Sequence, residues 1–356
     1  MKFYTVEVNR SIWEVPERYE SIQSLGYDTH GELCSATDKE SQEPVVIKKL
    51  SRPFDSLISC RNTFREIRLL KHTKHDTIIH LCDLFTPQKT LSEFFSAYLV
   101  YKSLASPSVS LDQVSSTEIT DDHLKFVAYL LFRALVYLHS MELVLLDLAP
   151  RHIFVNEHVD LQIQNVASAR KVLREPGTNA STMSGYVGTR YYRAPEMILN
   201  IGAFDGKIDV WSVGCILYKL ATGQVLFPGK DHIDQLKKII DVLGTPEEAL
   251  IRKCSLAAQT FLRSLPLKEK RGLSEYLQLC NPSPGFVAFL ERILVIDPSE
   301  RMSAAEALSD PYLECFHDPD DVPFAEPFDD SFERWKDLTK DEWKEKIFEE
   351  IRSFVA

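Results

Sequence analysis

The densest run of side chains able to do chemistry lies between residues 143 and 196. It holds Leu145-Leu146-Asp147-Leu148-Ala149-Pro150-Arg151-His152, then Asn165-Val166-Ala167, and closes on Gly188-Thr189-Arg190-Tyr191-Tyr192-Arg193-Ala194-Pro195-Glu196. Asp147 offers a carboxylate and His152 an imidazole. A neutral imidazole is a poor partner for hard magnesium, which takes oxygen ligands. It suits zinc or another borderline metal better, but one histidine makes no metal site. Upstream, Gly26-Tyr27-Asp28-Thr29-His30-Gly31 sets two glycines around an aspartate. Two glycines alone are a weak sign of a nucleotide site and equally suit a plain hairpin turn. Glycine permits close backbone approach, whereas Asp28 adds bulk and a negative charge that opposes anionic phosphates. Lys48, Glu66 and the run Asp318-Pro319-Asp320-Asp321, each taken alone, read as solvated surface charge.

Short strands around one helix must carry the first of these residues. Strands are predicted at 19–25, 32–37 and 44–49, the last with the β-branched run Val45-Val46-Ile47, and they form an antiparallel meander. A helix with one buried face is predicted over 62–72 and another strand over 95–100. Farther on, Thr120-Asp121-Asp122 caps a nearly all-round apolar helix in which His139 is a packed or hydrogen-bonded core residue. A second strongly apolar helix runs over 209–222, a helical insert covers roughly 246–281 and core helices cover 285–294 and 303–308. The segment 339–354 has apolar residues at 343, 347, 351 and 354, an amphipathic helix returning to the fold.

At 356 residues the chain is long enough for two lobes, and 44% hydrophobic with 26% charged residues is ordinary for a soluble globular protein. A formal net charge of -11 argues against a nucleic-acid-binding surface. The seven cysteines are odd in number and form no Cys-x-x-Cys pair, which predicts a reduced setting rather than a disulfide scaffold. Neither a membrane-spanning apolar run nor a signal-peptide core is present, so a cytosolic or nuclear protein is expected.

Taken jointly, these motifs resemble those of protein kinases. EVPERYE, VVIKKLSRPFDS, FREIRLLKH and LFPGKDHIDQLKKIIDVLGTP are similar to MAP kinase segments, most of all to the stress-activated branch, in a divergent insect form. The resemblance implies an α+β bilobal kinase fold over 19–312. It has a small β-rich amino-terminal lobe at 19–102, a larger helical carboxy-terminal lobe at 103–312 and an extension at 313–356. ATP and Mg2+ are the implied cofactors. Lys48 falls at the phosphate-contacting lysine and Glu66 at its helix partner; Leu25, Gly26, Gly31 and Leu33 fall at the nucleotide. Tyr101 takes the gatekeeper position and Pro107 the ribose contact, where proline cannot accept a hydroxyl bond. Asp147 falls at the carboxylate that orients the substrate hydroxyl.

Around it the pattern departs. Asp28 replaces the middle glycine, Leu146 the arginine that helps receive a phosphorylated loop, and Ala149 the lysine near the transferred group. His152 replaces a magnesium-ligating asparagine, and Asn165 the aspartate that binds the bridging magnesium. If each loss at Ala149, His152 and Asn165 costs on the order of 2 to 4 kcal/mol, the rate falls by at least roughly four decades.

Ser184-Gly185-Tyr186 sits where the branch carries Thr-Gly-Tyr. This implies dual phosphorylation by an upstream dual-specificity MAP kinase kinase, with Arg65, Arg190 and Arg193 receiving the phosphates. Glu196 is expected to pair with Arg271 or a neighbouring arginine. Asp318, Asp320 and Asp321 resemble the docking site for basic motifs of activators, substrates and phosphatases, while a second patch at Glu157 is weakened by His158. No nucleic acid or membrane partner is expected. The leading expectation is a catalytically impaired signalling protein acting through partner binding; the alternative is an active proline-directed serine/threonine kinase.

Overall fold

Asn9 and Arg10, both in the left-handed region at φ 50° and 65°, make the tight turn that starts the fold. They join β1 (Phe3–Val8) to β2 (Ser11–Pro16) as an antiparallel hairpin, with Val8 opposite Ser11. The sequence reading included neither β1 nor β2: FYTVEV alternates Tyr4, Val6 and Val8 with Thr5 and Glu7, but its turn lacks glycine. The computed structural model describes residues 2–28, 31–104, 108–171, 190–201, 204–277, 282–335 and 337–354. It divides into one unit of residues 1–108, 155–167 and 329–356 and a second of 109–154 and 168–328.

The first unit is built on a five-stranded antiparallel sheet. Its strands are β3 (Tyr19–Tyr27), β4 (Gly31–Asp38), β5 (Pro44–Leu50), β6 (Leu81–Phe85) and β7 (Tyr98–Lys102), in the order β3-β4-β5-β7-β6. Strand β7 starts later than the predicted 95–100 because the Gln88 side-chain carbonyl accepts the backbone N–H groups of Phe95 (3.4 Å) and Ser96 (3.2 Å), which takes them out of any ladder. Helix α1 (Leu57–His72) starts before 62 because the Ser56 hydroxyl caps the Ser59 N–H. Trp13, Val15, Tyr19, Ile47, Phe85 and Tyr98 lie in one core beneath the sheet. Against α1 packs the helix Lys340–Arg352, with Phe64 edge-on to Trp343 at 5.3 Å and Glu350 accepting from Arg68 (3.1 Å) and Lys71 (2.5 Å).

In the second unit α2 (Asp121–Ser140) opens on a Thr120 capping box closed by His123 and buries Leu131, Phe132 and Leu135. Helix α3 (Pro195–Leu199) is short, and α4 (Lys207–Thr222) buries nearly every side chain of its body. The helices Pro284–Ile293 and Ala304–Leu308 complete this core, Phe289 meeting Phe132 at 5.8 Å. The insert region carries Glu248–Ile251, Leu256–Ser264 and Leu273–Leu277. The architecture is α+β, a β-rich unit and a helical one. Among the described residues no helix is long and apolar enough to cross a membrane.

The buried Glu196 finds its partner in Arg301 rather than in Arg271. Arg301 donates from both terminal nitrogens to the carboxylate, at 2.7 and 2.9 Å, and also to the carbonyls of Lys207 (2.8 Å) and Val295 (3.0 Å). Arg271 instead lies just before the helix Leu273–Leu277, its backbone N–H on the Val242 carbonyl at 3.2 Å. Sequence distance hid this pair: several arginines follow Glu196, and only the fold selects one. With the Arg301 side chain at 0% exposure and Glu196 at 4%, removal of one partner strands a buried charge. Arg301→Ala is expected to destabilise the chain by about 3 to 5 kcal/mol, read as a lowered urea midpoint at unchanged slope.

Candidate active site

In the first unit the chemistry gathers on one ammonium. Lys48 on β5 faces Leu33 on β4 and Leu99 on β7, a central-strand position that leaves it 4% exposed. Its Nζ donates to Glu66 Oε1 of α1 at 2.9 Å and lies 2.9 Å from Asp28 Oδ2. The Tyr101 hydroxyl reaches the same Glu66 oxygen at 3.5 Å. Burial works against the Lys48 charge, but Glu66 and then Asp28 outweigh it and raise its pKa. Burial also pushes the Tyr101 hydroxyl well above its ordinary range, with Glu66 adding to the effect.

The β3–β4 connection supplies Asp28. Gly26 takes φ +101°, open to glycine, and the Asp28 N–H closes on the Gly31 carbonyl at 2.9 Å. At Gly31 a Cβ would collide with the Lys49 carbonyl, so this glycine is needed for strand packing. Leu25 is exposed and Leu33 half-buried. In the same unit Asn165 is half-buried beside a buried Val166.

In the second unit Asp209, at the start of α4, organises the loop that bears Asp147. Its carboxylate accepts the N–H groups of Leu145 (2.9 Å) and Leu146 (3.2 Å) and lies 3.1 Å from His139 Nε2. Leu146 is thereby held at φ 64°, a left-handed conformation that costs a bulky residue about 1 to 2 kcal/mol. Its side chain is buried, as is that of Ala149. The single turn Pro150–His152 then folds His152 back: Nδ1 donates to the Asp147 carbonyl at 2.9 Å and Nε2 accepts from Arg151 Nε at 3.0 Å. These two bonds fix the tautomer and engage both ring nitrogens, so no lone pair is left for a metal. Arg151 also lies 3.8 Å from the Asp147 carboxylate.

Residues proposed to receive phosphate have other partners. Arg65, in the first unit, forms a two-pronged pair with Glu333, its Nη2 donating to Oε2 at 2.7 Å while Nη1 donates to Asn62 at 2.7 Å. In the second unit Arg190 donates from Nη1 to the Lys230 carbonyl at 2.7 Å, and its buried Nε has no hydrogen-bond partner among the described residues. Arg193 is half-buried and feels the charges of Asp147 and Arg190. Ser184, Tyr186 and Pro107 lie outside the described residues.

The acidic run is exposed, but its members differ. Asp321 pairs with Arg133 at 2.7 Å, whereas Asp318 turns the run on itself, its carboxylate accepting the Asp320 N–H at 3.0 Å and its carbonyl the Asp321 N–H at 3.2 Å. His158 lies 3.8 Å from Glu157. Among the described residues no group of three or more His, Cys, Asp or Glu side chains could hold a metal ion. The sequence reading had singled out Asp28 without its bond to Lys48, and missed Glu333 and the role of Asp209. The available signal for Asp209 was a lone carboxylate in the first turn of a helix whose body is mostly apolar.

Residues 19–313 match the protein kinase domain model. The chain is 43% identical over 354 residues to mitogen-activated protein kinase 14 of Xenopus laevis, covering 99% of this chain and 95% of that protein. It is 39% identical over 358 residues to mitogen-activated protein kinase p38b of Drosophila melanogaster, covering 99% and 94%.

Burial, partly opposed by Asp147 and reinforced by Arg151, holds the His152 pKa below its ordinary 6.5. The unfolded chain therefore takes up this proton first as pH falls. The His152 contribution to stability is complete above about 6.5 and is lost as pH drops below it toward the folded value. His152→Asn is expected to flatten the decline of the urea midpoint between about pH 7 and pH 5; an unchanged decline would place the titrating group elsewhere.

Proposed function

Because the chain belongs to the protein kinases and, within them, to the stress-activated branch of the MAP kinases, we propose that it is a stress and immune signalling protein whose phosphoryl transfer is impaired and whose output is regulated partner binding. Kinases of this family use ATP with Mg2+, which neutralises the charge that develops on the transferred group. The observation that carries the proposal is His152: both of its nitrogens are spent within the catalytic loop, at the position where the family has a metal-ligating carbonyl. Asn165 brings a neutral amide to the other metal position, and Ala149 a buried methyl where a cation belongs. This donor set does not fit the magnesium pair.

The chain's own residues retain part of the machinery. Asp147 keeps a carboxylate able to accept a hydroxyl proton, and the Lys48–Glu66 pair ties α1 to β5. Those two features favour the second reading, an active proline-directed serine/threonine kinase. Partner binding draws support from the exposed carboxylates of Asp318 and Asp320, suited to basic linear motifs of activators, substrates or phosphatases. An upstream dual-specificity kinase acting on Ser184 and Tyr186 would regulate that binding in the cytosol or nucleus.

A radiolabelled transfer assay on loop-phosphorylated protein, with Asp147→Ala as control, decides between the two. Equal counts are expected; robust Asp147-dependent transfer would overturn the proposal. Restoring the family residues together, Ala149→Lys, His152→Asn and Asn165→Asp, should raise transfer by roughly two decades or more. For the binding function, a basic docking peptide should lose at least about tenfold in affinity on charge reversal at Asp318 and Asp320, about 1.4 kcal/mol. Undiminished capture by the reversed protein would remove the acidic run from the site.

A further inference from the structure

We propose that Asp28 is an internal occupant of the phosphate-contacting position. Its carboxylate neutralises Lys48 in place of a nucleotide phosphate, so the site selects adenine ligands of low charge over ATP. This rests on reading Lys48 and Glu66 as the nucleotide-facing pair. Three features carry it. Lys48 is 4% exposed, and its ammonium has carboxylate oxygens of both Glu66 and Asp28 at 2.9 Å. One cation between two carboxylates leaves the cluster with surplus negative charge before any ligand arrives, and an incoming polyphosphate meets like charge at short range. Glu66 is the more buried carboxylate, its side chain 8% exposed against 34% for Asp28, and the Tyr101 hydroxyl reaches the same oxygen that Lys48 holds, so Asp28 is the partner that must yield.

The placement of Asp28 comes from the backbone. A register shift between Ser24 and Gly26 bends β3 just before it, and its own N–H closes the connection on the Gly31 carbonyl. The Asp28 side chain keeps 34% exposure, against 5% for Lys48, so it can leave toward water while the lysine cannot. A phosphate therefore has to replace a carboxylate already in a charge-assisted contact, and then share space with the displaced anion. Adenosine carries no phosphate and makes neither demand.

Isothermal titration of the full chain with adenosine, ADP and ATP, with and without magnesium, tests this in wild type, Asp28→Asn and Asp28→Gly. Asp28→Asn keeps the shape and removes the charge. Adenosine affinity should stay within about twofold in all three proteins. ATP affinity should rise at least tenfold in both variants, about 1.4 kcal/mol, with ADP between. In a Lys48→Met background the ATP gain should vanish. Equal ATP affinity in wild type and Asp28→Asn would overturn the proposal, as would an equal gain for adenosine or the absence of binding by any ligand to any of the three proteins. Because the readout is binding, these outcomes stand apart from the transfer assay: wild type could fail to transfer phosphate while ATP still binds it as well as it binds Asp28→Asn.

Discussion

A single buried carboxylate holds the loop that bears Asp147. Asp209 is 1% exposed, and a charge so placed persists only if its lone pairs are filled. Two backbone N–H groups from Leu145 and Leu146 fill them, with His139 beside them. The same bonds force Leu146 into a left-handed conformation and so turn the chain, and Ser168 Oγ locks the turn from the other side by donating to the Leu145 carbonyl at 2.8 Å. Everything that follows, Asp147, the buried Ala149 and the folded-back His152, takes its position from this turn. Each of these contacts is made by the chain's own groups. The frame of the loop is therefore set apart from the chemistry it would serve, and residues 149 and 152 can depart from the family pattern while the frame stands.

The first unit has the same division in another form. Lys48, Glu66 and Tyr101 make a closed polar group in an apolar setting, and burial forces each member to find a partner. Asp28 joins it from a hairpin connection whose glycines serve the backbone: Gly26 permits the positive φ, and Gly31 lets β4 lie close against the Lys49 carbonyl. With an aspartate at the position of the middle glycine, the Lys48 ammonium lies within its reach. A substitution that reads in sequence as bulk and negative charge opposing phosphate is in space an ion pair.

How much was legible in the sequence follows from the range of each interaction. Alternation and capping are local, so β3 to β5, α2 and the amphipathic helix near the end could be read from spacing; the Ser56 cap that extends α1 is equally local and was not read. The motifs around Asp147 and Ala194-Pro195-Glu196 announced the site because their order along the chain is itself specific. Partnerships across the fold could not be read. Glu196 selects Arg301 from several candidates because both are sealed in one core, and Arg65 meets Glu333 across more than two hundred residues of sequence. Charge type gives the chemistry of such a pair, while only packing gives its membership.

The Arg65 pair also bears on how a switch would act in this chain. Arg65 is buried, and its guanidinium already spends two nitrogens on Glu333 and a third on Asn62. A carboxylate in two-pronged geometry meets the same donors that a phosphate would use. Lys71 and Arg68 of the same helix are likewise committed to Glu350, and Phe64 is edge-on to Phe332 at 5.2 Å. Residues 329–356 thus anchor α1 by charge and by aromatic packing within its own unit. With Glu66 on α1 bound to Lys48, the helix is fixed at both its inner face and its outer one. A phosphate reaching Arg65 would replace an existing anion instead of supplying a missing one, so its effect on α1 is bounded by the difference between the two anions. In a helix positioned this way, the phosphorylation proposed above would act less on the Lys48–Glu66 geometry than on partner binding.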